Sequence, residues 1–388
     1  MSSPDLTELE RQAVMEVLNT PHLSMGSRIE AFEQAMCNYS GRRYAIGVSS
    51  GTAGLHLCVR AGGIGPGDLV ITTPFSFVAS TNVLLFEQAT PIFVDVDPKT
   101  GNISPARVAE AAADLCSGRP ELRQKWLPRC GAASAEGRLK AILSVDVFGQ
   151  PADHDPLRRT ADQYGLKLIE DACEALGAEY KGMKAGRLGD AGVYAFYPNK
   201  QITTGEGGMI VTDDAEVAAM MRALRNQGRA PGDTWLQHTF LGYNYRLDEM
   251  SAALGVTQMS RLEELLQKRE RVAAWYLERL AEIQWVEPPQ VAETTTRVSW
   301  FVYVIRLKQG IDRAAVARRL AEMGIPVRPY FLPIHLQPYM VERFGYRPGD
   351  FSVTEDLGKR GLALPFSGKM SEEEVDVVCK MLAKSIMI

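Results

Sequence analysis

The sequence predicts an α/β fold in which a large domain, built on a mostly parallel sheet covered by helices, is followed by a smaller C-terminal α+β domain. Two observations lead to this prediction. Between residues 43 and 215, short apolar runs alternate with helical stretches, as in a parallel sheet that is buried on both faces. After residue 250, a long amphipathic helix precedes isolated strand and helix segments. We therefore place the large domain at residues 1–250 and the small domain at residues 251–388.

Each strand of the large domain is predicted from a short apolar run bounded by turn residues or by a helical stretch. These runs are YAIGVSS (44–50), LVITT (69–73), PIFVDVD (91–97), AILSVDVFG (141–149) and LKLIEDA (166–172). Helices are predicted between them, including TAGLHLCVRAGG (52–63) and FVASTNVLLFEQ (77–88). In such sheets the ligand binds beyond the carboxyl ends of the strands, so the residues after each strand are the first candidates for a site.

The small domain is predicted from a different mixture of elements. A long helix at 260–283 has apolar residues at three- and four-residue spacing, with mixed charges elsewhere. A strand at 300–307 and a helix at 313–323 follow it. The segment 371–386 predicts the last helix, with the hydroxyl of Ser371 suited to cap its start.

Composition excludes several classes of protein. The 388 residues are 46% hydrophobic and 23% charged, which is typical of a soluble globular chain and not of a disordered or fibrous one. The net charge of −4 argues against nucleic-acid binding by bulk charge. No apolar run reaches the roughly 20 residues that span a bilayer, and the polar first residues predict no signal peptide. The six scattered cysteines lack a CxxC pair, so we expect reduced thiols in a cytoplasmic protein and no metal site.

One basic stretch, residues 115–140, does not fit the alternation of strands and helices. It is either a solvated surface insertion or a loop that binds an anionic ligand. We favour the surface insertion, because Gly, Pro and Ala residues surround the charges. The basic side chains are those of Arg119, Arg123, Lys125, Arg129, Arg138 and Lys140.

Two charged residues in the segment 169–212 predict a chemical site. Asp171 ends an apolar strand, where a partly buried carboxylate needs a cationic partner or a role as a helix cap. Lys200 lies between an apolar run and the glycine-rich turn TTGEGG (203–208). Most lysines are solvated surface charges, but one held in such a place can lose its proton and act as a nucleophile. An aspartate that faces a pyridinium nitrogen and a lysine that forms a Schiff base are the two protein groups that pyridoxal phosphate (PLP) requires.

The same sheet edge offers a phosphate site and a stacking partner. VSSGTAGL (48–55) runs from a strand through Gly51 into a helix, whose first amides and Thr52 hydroxyl can bind an anion. This turn alone is weak evidence, because every sheet of this kind has several. Phe75 and Phe77 follow another strand, where one of them can stack on a ring, although core packing explains either residue alone.

Eight segments of the chain match the motifs of one family in order. They are VSSGTAGLHL, GIGPGDLVITTPFSFVAS, PIFVDVD, VDVFGQPAD, IEDACEALGA, FYPNKQITTGEGG, LGYNYRLDEMSAALG and YFLPIHLQPY. Together they resemble the DegT/DnrJ/EryC1/StrS family of PLP-dependent aminotransferases, which act mostly on nucleotide-linked keto sugars. The resemblance extends from about residue 24 to 380, and TTGEGG with GYNYR is its most specific part. It implies the type I PLP aminotransferase fold and a homodimer with active sites at the subunit interface.

The resemblance also implies a role for each matching residue. Lys200 is implied to form the Schiff base with PLP and to move a proton between the two carbons. Asp171 is implied to pair with the pyridinium nitrogen. On the cofactor side, the resemblance implies phosphate contacts for Thr52 and Ala53, stacking for Phe77 and a position near the cofactor for Glu174. It implies that Asn244 contacts the phosphate bound in the other subunit. It implies substrate-side positions for Tyr330, His335 and the interface residue Arg246.

Three positions depart from the usual pattern of the family. Ala195 stands five residues before the lysine, where many relatives have a phosphate-binding serine, so one hydroxyl contact is missing. Glu174 stands where Gln or His is common, and the resemblance associates Glu or His with amination at C4 of the sugar and Gln with C3. Residues 226–228 read NQG where relatives often read NHG, from which we infer nothing.

We therefore expect an aminotransferase that moves the amino group of L-glutamate onto PLP, giving pyridoxamine phosphate (PMP), and then onto a nucleotide-linked keto sugar, with C4 favoured over C3. A dehydratase of the same family is disfavoured, because those relatives have His in place of Lys200. Amination of a cyclitol or another non-sugar ketone stays open. So does a non-catalytic regulatory protein, although a pure binder needs neither Lys200, Asp171 nor Asn244.

Overall fold

The computed structural model of the chain describes residues 3–130 and 137–387 and has the predicted α/β fold. Its helices are α1 (Glu8–Leu18), α2 (Ser27–Ser40), α3 (Gly51–Ala61), α4 (Ala79–Phe86), α5 (Pro105–Cys116), α6 (Pro120–Gln124), α7 (His154–Tyr164), α8 (Ala215–Arg225), α9 (Glu249–Ser260), α10 (Leu262–Leu280), α11 (Arg313–Glu322), α12 (Pro338–Phe344), α13 (Ser352–Arg360) and α14 (Glu372–Met387). Its strands are β1 (Tyr44–Val48), β2 (Leu69–Thr72), β3 (Thr90–Phe93), β4 (Leu139–Val145), β5 (Lys167–Asp171), β6 (Glu179–Tyr180), β7 (Met183–Lys184), β8 (Ala191–Ala195), β9 (Gly208–Thr212), β10 (Val286–Glu287), β11 (Thr295–Arg297), β12 (Tyr303–Leu307) and β13 (Gly361–Leu364).

The large domain is built on a seven-stranded sheet with the order β1-β9-β8-β5-β4-β2-β3. Strands β2, β3, β4, β5 and β8 pair in parallel. Strand β9 runs antiparallel to both of its neighbours, β8 and β1. The sheet is therefore mostly parallel, as predicted, and every strand predicted in this domain from an apolar run is present.

Helices cover both faces of this sheet, which explains why its strands are nearly continuous apolar runs. Helices α3, α4 and α8 contribute buried residues to the core on one face. On the other face, α2 and α9 pack against one half of the sheet, and α5 and α7 against the other half. All residues of β2, β3 and β9 are buried, so the sheet is a rigid base for residues that follow its strands.

The small domain has its own three-stranded sheet, β10-β12-β13, packed against α10, α11 and α14. A third sheet, β11-β6-β7, joins the two parts of the chain. Helix α10 belongs to both cores: Leu262 and Leu265 pack with the large domain, while Val272 and Tyr276 pack with the small one. The predicted boundary at residue 250 falls just inside α9, a helix that packs on α1 and α2.

The basic stretch is partly described, since residues 131–136 lie outside the described residues. Several of its charges pair with protein groups. Lys125 pairs with Glu110 and lies 3.7 Å from Asp114, and Arg129 pairs with Asp350 at 2.5 Å. These contacts agree with a surface insertion. Among the described residues, no helix is long and apolar enough to cross a membrane.

Candidate active site

A cavity of about 330 Å³ opens where the main sheet ends, at the carboxyl side of its parallel strands. Residues that follow β1, β2 and β5, and the last residue of β4, line it, as the general rule for open parallel sheets predicts. Its volume is in the range of pockets that bind a small-molecule ligand. The cavity brings together Thr52, Phe77, Asp171, Glu174, Lys200 and Tyr330 from the residues predicted in sequence.

The first turn of α3 forms one wall of the cavity. Ser50 caps this helix, since its Oγ accepts the N–H of Ala53 at 3.1 Å. Gly51 and Thr52 line the cavity, whereas Ala53 is buried behind them. A Cβ atom at Gly51 would lie 2.8 Å from both Ala195 Cβ and Cys173 Sγ, so only glycine permits this close approach. The positive end of the helix dipole thus faces the cavity and favours an anion there.

Asp171 supplies a buried carboxylate at the end of β5. Its side chain lines the cavity although the residue is only 6% exposed. Its Oδ1 accepts the backbone N–H of Cys173 at 3.1 Å. Burial raises the pKa of the Asp171 carboxyl, because the charged form loses its hydration. A cation placed in the cavity would reverse this effect and stabilise the carboxylate.

Lys200 places its amine between a carboxylate and an aromatic ring. The side chain is 12% exposed, and its Nζ lies 3.7 Å from Glu174 Oε1. The same Nζ lies 3.8 Å from the centre of the Phe301 ring, within the range of a cation–π contact. The other Glu174 oxygen accepts the N–H of Phe148 at 2.9 Å, which fixes the carboxyl group. Burial raises the pKa of Glu174, whereas the charge of Lys200 opposes that rise.

Aromatic side chains frame the opening of the cavity. Phe77 is 63% exposed and stands at its mouth, where a ring lying in the cavity would cover it. Tyr330 lines the cavity from the small-domain side. Burial raises the pKa of the Tyr330 hydroxyl.

Two of the predicted residues lie outside this chain's cavity, in the segment between α8 and α9, where Asn244 is exposed and Arg246 is half-buried. Asn244 is exposed and forms an isolated β-bridge with Asn226. Arg246 donates to the Asn226 side chain at 2.9 Å. Trp235, Leu236 and Leu241, in the preceding loop, are strongly exposed apolar residues.

His335 lies in the core and not at the cavity, in contrast to the expectation of a substrate-side position. The residue is 0% exposed, and its Nε2 lies 3.0 Å from Glu355 Oε1. Its ring packs edge-on against Phe351. The backbone of the preceding Ile334 is tied to Pro74 by a hydrogen bond of 2.8 Å, and this turn buries the imidazole.

Other cavity residues were not predicted from sequence. Ser50 had a usable signal, because a serine directly before a helix is a common N-cap. Asn199, Glu206 and Phe301 had none, since each reaches the cavity only through the folding of its loop. Asn199 Oδ1 is buried without a hydrogen-bond partner among the described residues, so a polar atom beside Lys200 is left unsatisfied.

Comparison with known proteins shows which family the chain belongs to. The DegT/DnrJ/EryC1/StrS aminotransferase family matches residues 4–383. The chain belongs to this family. GDP-perosamine synthase of Caulobacter vibrioides is 38% identical over 386 residues, covering 98% of this chain and 96% of the relative. GDP-perosamine synthase of Escherichia coli O157:H7 is 31% identical over 380 residues, covering 98% and 96%. PseC of Helicobacter pylori, an aminotransferase involved in the biosynthesis of pseudoaminic acid, has 28% identity and a TM-score of 0.87, covering 100% and 98%.

The chain is thus an aminotransferase with the type I fold of PLP-dependent enzymes, and its residues fit that cofactor. Asp171 offers a buried anion for a cationic ring nitrogen, and the start of α3 offers amides for a phosphate. Lys200 offers an amine in the same cavity. Ala195 lines the same cavity and offers no hydroxyl group to a phosphate there.

Proposed function

We propose that this chain transfers the amino group of L-glutamate, through PLP and PMP, to a keto sugar linked to a nucleotide, with a C4 ketone favoured over a C3 ketone. The observation that carries the proposal is the convergence of three groups on one cavity: the Lys200 amine, the buried Asp171 carboxylate and the N-terminus of α3. This combination suits a ligand with a carbonyl carbon, a basic ring nitrogen and a phosphate.

In this proposal Asp171 holds the ring nitrogen in its protonated form, and Thr52 with the first amides of α3 holds the phosphate. Phe77 covers one face of the ring and excludes water from it. When bound, PLP supplies an electron-withdrawing ring that stabilises the negative charge left on a carbon after its proton is removed. Lys200 Nζ would remove that proton and deliver it to the second of the two carbons that are bonded to the transferred nitrogen. Glu174 Oε1, 3.7 Å away, stabilises the ammonium form of Lys200 between these two transfers.

The substrate class rests on the relatives and on Glu174. Two relatives that match nearly the full chain are named for GDP-perosamine, so we propose a GDP-linked keto sugar as the first acceptor to test. Glu174 supports the C4 position through the family association described above. Its carboxylate lies deep in the cavity next to the reacting amine, where it would meet the part of the sugar that carries the ketone.

The decisive experiment follows the visible absorption of the purified protein with PLP during a titration with L-glutamate. We expect a band from the lysine-bound cofactor, its loss as glutamate is added, and its return when a GDP-linked 4-keto sugar is supplied. Lys200→Ala should stay folded, as judged by circular dichroism, and should lose both the band and transamination. Lys181→Ala, which removes an exposed lysine, is the matched control and should behave as the parent does.

Each other outcome contradicts a defined part of the proposal. A band that forms but does not respond to glutamate would exclude this donor. Return of the band with a cyclitol ketone and not with any nucleotide sugar would favour the non-sugar alternative. A protein that forms no band with PLP would contradict the aminotransferase proposal itself and favour a regulatory role.

We also propose that the active enzyme is a homodimer in which Asn244 reaches the phosphate site of the other subunit. Asn244 is exposed and lies outside its own cavity, and the nearby loop exposes Trp235, Leu236 and Leu241, which a second copy would cover. Equilibrium sedimentation measures the assembly directly. If the active species sedimented as a monomer, the assignment of Asn244 would fail.

A further inference from the structure

Arg269, in the middle of α10, is a buried cation that is bound by backbone carbonyls and not by a carboxylate. The residue is 6% exposed. Its Nη1 donates to the carbonyls of Trp300 and Phe301 at 3.1 and 3.2 Å. Its Nη2 donates to the carbonyls of Lys200 and Asn199 at 2.7 and 3.4 Å. Burial lowers the pKa of Arg269 to about 10, and no acidic side chain of the described residues pairs with it.

The two segments that Arg269 joins are the two that determine where the Lys200 amine lies. One is residues 199–200, the backbone from which the lysine side chain extends. The other is residues 300–301, and the Phe301 ring is 3.8 Å from Lys200 Nζ. One planar guanidinium therefore fixes both the origin of the lysine side chain and the aromatic surface against which its amine rests.

A buried guanidinium without an anion is costly, because it gives up its hydration for hydrogen bonds to neutral groups. Packing alone does not require this charge, since a methionine of similar length would fill the same space. The four carbonyl contacts are what a guanidinium provides and a methionine or an ammonium group cannot reproduce.

A second connection secures the opposite side of the same region. Gln201 Nε2 donates to the Glu174 carbonyl at 2.6 Å and to Ser299 Oγ at 2.7 Å. This connection holds the segment that carries Glu174 to the segment that carries Phe301. This connection also ties the backbone just after Lys200 to Ser299, whereas Arg269 binds the carbonyls of residues 199 and 200 themselves.

We propose that Arg269 is a positioning residue for Lys200: by joining residues 199–200 to residues 300–301, its guanidinium holds the lysine amine at the point in the cavity where proton transfer takes place. This inference rests on the proposed role of Lys200 in catalysis. It assigns Arg269 no contact with the cofactor or with the substrate. Loss of the guanidinium should therefore slow the chemical step more than it weakens substrate binding.

The test compares Arg269→Met and Arg269→Lys with Arg271→Lys, an exposed control two residues further along α10. We expect kcat to fall by about 10²-fold in Arg269→Met and by about tenfold in Arg269→Lys, with KM for glutamate changed by less than about threefold. Arg271→Lys should match the parent.

A second readout uses the cofactor-free protein and no substrate. Cyanate carbamoylates free lysine amines, and peptide mass spectrometry measures the extent at each lysine. We expect the rate at Lys200, relative to that at Lys268 on the same helix, to rise by about threefold or more in Arg269→Met, because the amine is no longer held against Phe301. General loosening of α10 would raise both rates together and leave the ratio unchanged.

The outcomes separate this inference from the proposed function. If the parent binds PLP and transaminates, but both Arg269 variants keep kcat and the Lys200 carbamoylation ratio within about twofold of the parent, the inference is wrong and the function stands. If Arg269→Met does not fold, Arg269→Lys decides in the same way. A parent that forms no lysine-bound cofactor contradicts the role of Lys200, whatever the carbamoylation ratio is.

Discussion

Glu170 and Asp171, at the end of β5, both have buried carboxyl groups, but they accept different numbers of hydrogen bonds from the protein backbone. Successive strand residues face opposite sides of a sheet, so Asp171 lines the cavity while Glu170 faces the loop at 186–189. One Glu170 oxygen accepts the N–H of Gly186, and the other accepts those of Leu188 and Gly189. Asp171 accepts one backbone N–H, that of Cys173, within the part of the chain that the structure describes.

This difference teaches that burial of a charge does not by itself mark a functional residue. Burial raises the pKa of both carboxyl groups. Both oxygens of Glu170 accept backbone N–H groups of the protein, and these hydrogen bonds hold the loop at 186–189 in place. The Asp171 group accepts one backbone N–H, the side chains of Cys173 and Ser80 oppose the rise of its pKa, and it lines the cavity, where a ligand can reach it. Three backbone donors against one, and access to the cavity for Asp171 but not for Glu170, separate the structural residue from the functional one, whereas the pKa shift does not.

The largest effect that would test this comparison is expected for Asp171→Asn. The amide can keep the hydrogen bond from Cys173, but it cannot stabilise a protonated ring nitrogen. Transamination should fall by about 10³-fold. Stability of the cofactor-free protein should be unchanged or slightly higher, because a buried charge has been removed. Steady-state kinetics and urea unfolding of the cofactor-free protein measure the two quantities, and a large loss of stability would contradict a purely functional Asp171.

The next effect is expected for Glu170→Gln, which is the matched control on the same strand. Both Glu170 oxygens accept backbone N–H groups, so the NH2 group of a glutamine would have to face at least one of these N–H donors. Two donors facing each other in a buried place are unfavourable. We expect the cofactor-free protein to lose about 2–4 kcal/mol of stability. The same urea experiment measures this loss. If Glu170→Gln left stability unchanged and abolished activity, Glu170 would be a functional residue and its assignment as a structural one would be wrong.

The smallest effect concerns the pH dependence of stability. Asp146, His154 and Glu170 are buried together, with ligand-type atoms within 4.8 Å of one another. Burial raises the pKa of Asp146 and Glu170 to about 7, and because the two carboxyl groups hydrogen-bond each other, the folded pair holds one proton that the unfolded state has already lost. Their contribution to stability is present at low pH and disappears as the pH rises through about 7.

Asp146→Asn removes one of these titrating groups and keeps the shape of the side chain. We expect the parent to lose about 1 kcal/mol of stability between pH 6.5 and 8.5 that the variant does not lose. The neutral His154, whose pKa burial lowers, contributes mainly below this interval and has the opposite sign. Urea unfolding at the two pH values gives the comparison, and equal slopes in both proteins would contradict a proton held by this pair.

Much of the fold could be predicted because it depends on local patterns. The apolar runs that became β1, β2, β4 and β5 are short and are separated by helical stretches, so their length and their flanking residues favour strands over buried helices. The antiparallel direction of β9 was not predicted, because the direction of a strand depends on the connection that leads into it and not on the strand's own residues. Strands β6 and β7 have two residues each, which is too short to show an alternation of apolar and polar residues in the sequence.

The candidate site was predictable where a residue follows a strand or starts a helix. Asp171, Lys200 and Thr52 share the cavity because strand ends and the start of α3 meet at one edge of the sheet. The placement of His335 and the contacts of Arg269 were not predictable, because each depends on packing between segments that are far apart in sequence. A motif can identify the segment that contains such a residue, but it does not say which way the side chain turns.

Helix α10 has a consequence for how the protein denatures. It contributes Leu262, Leu265 and Leu266 to one core and Val272, Ala273 and Tyr276 to the other, and its Arg269 is tied to both parts of the chain. Melting of either core removes support from the same helix, so the stabilities of the two cores are thermodynamically linked. Heating should therefore produce one cooperative calorimetric peak, even though the chain has the length and the layout of two domains.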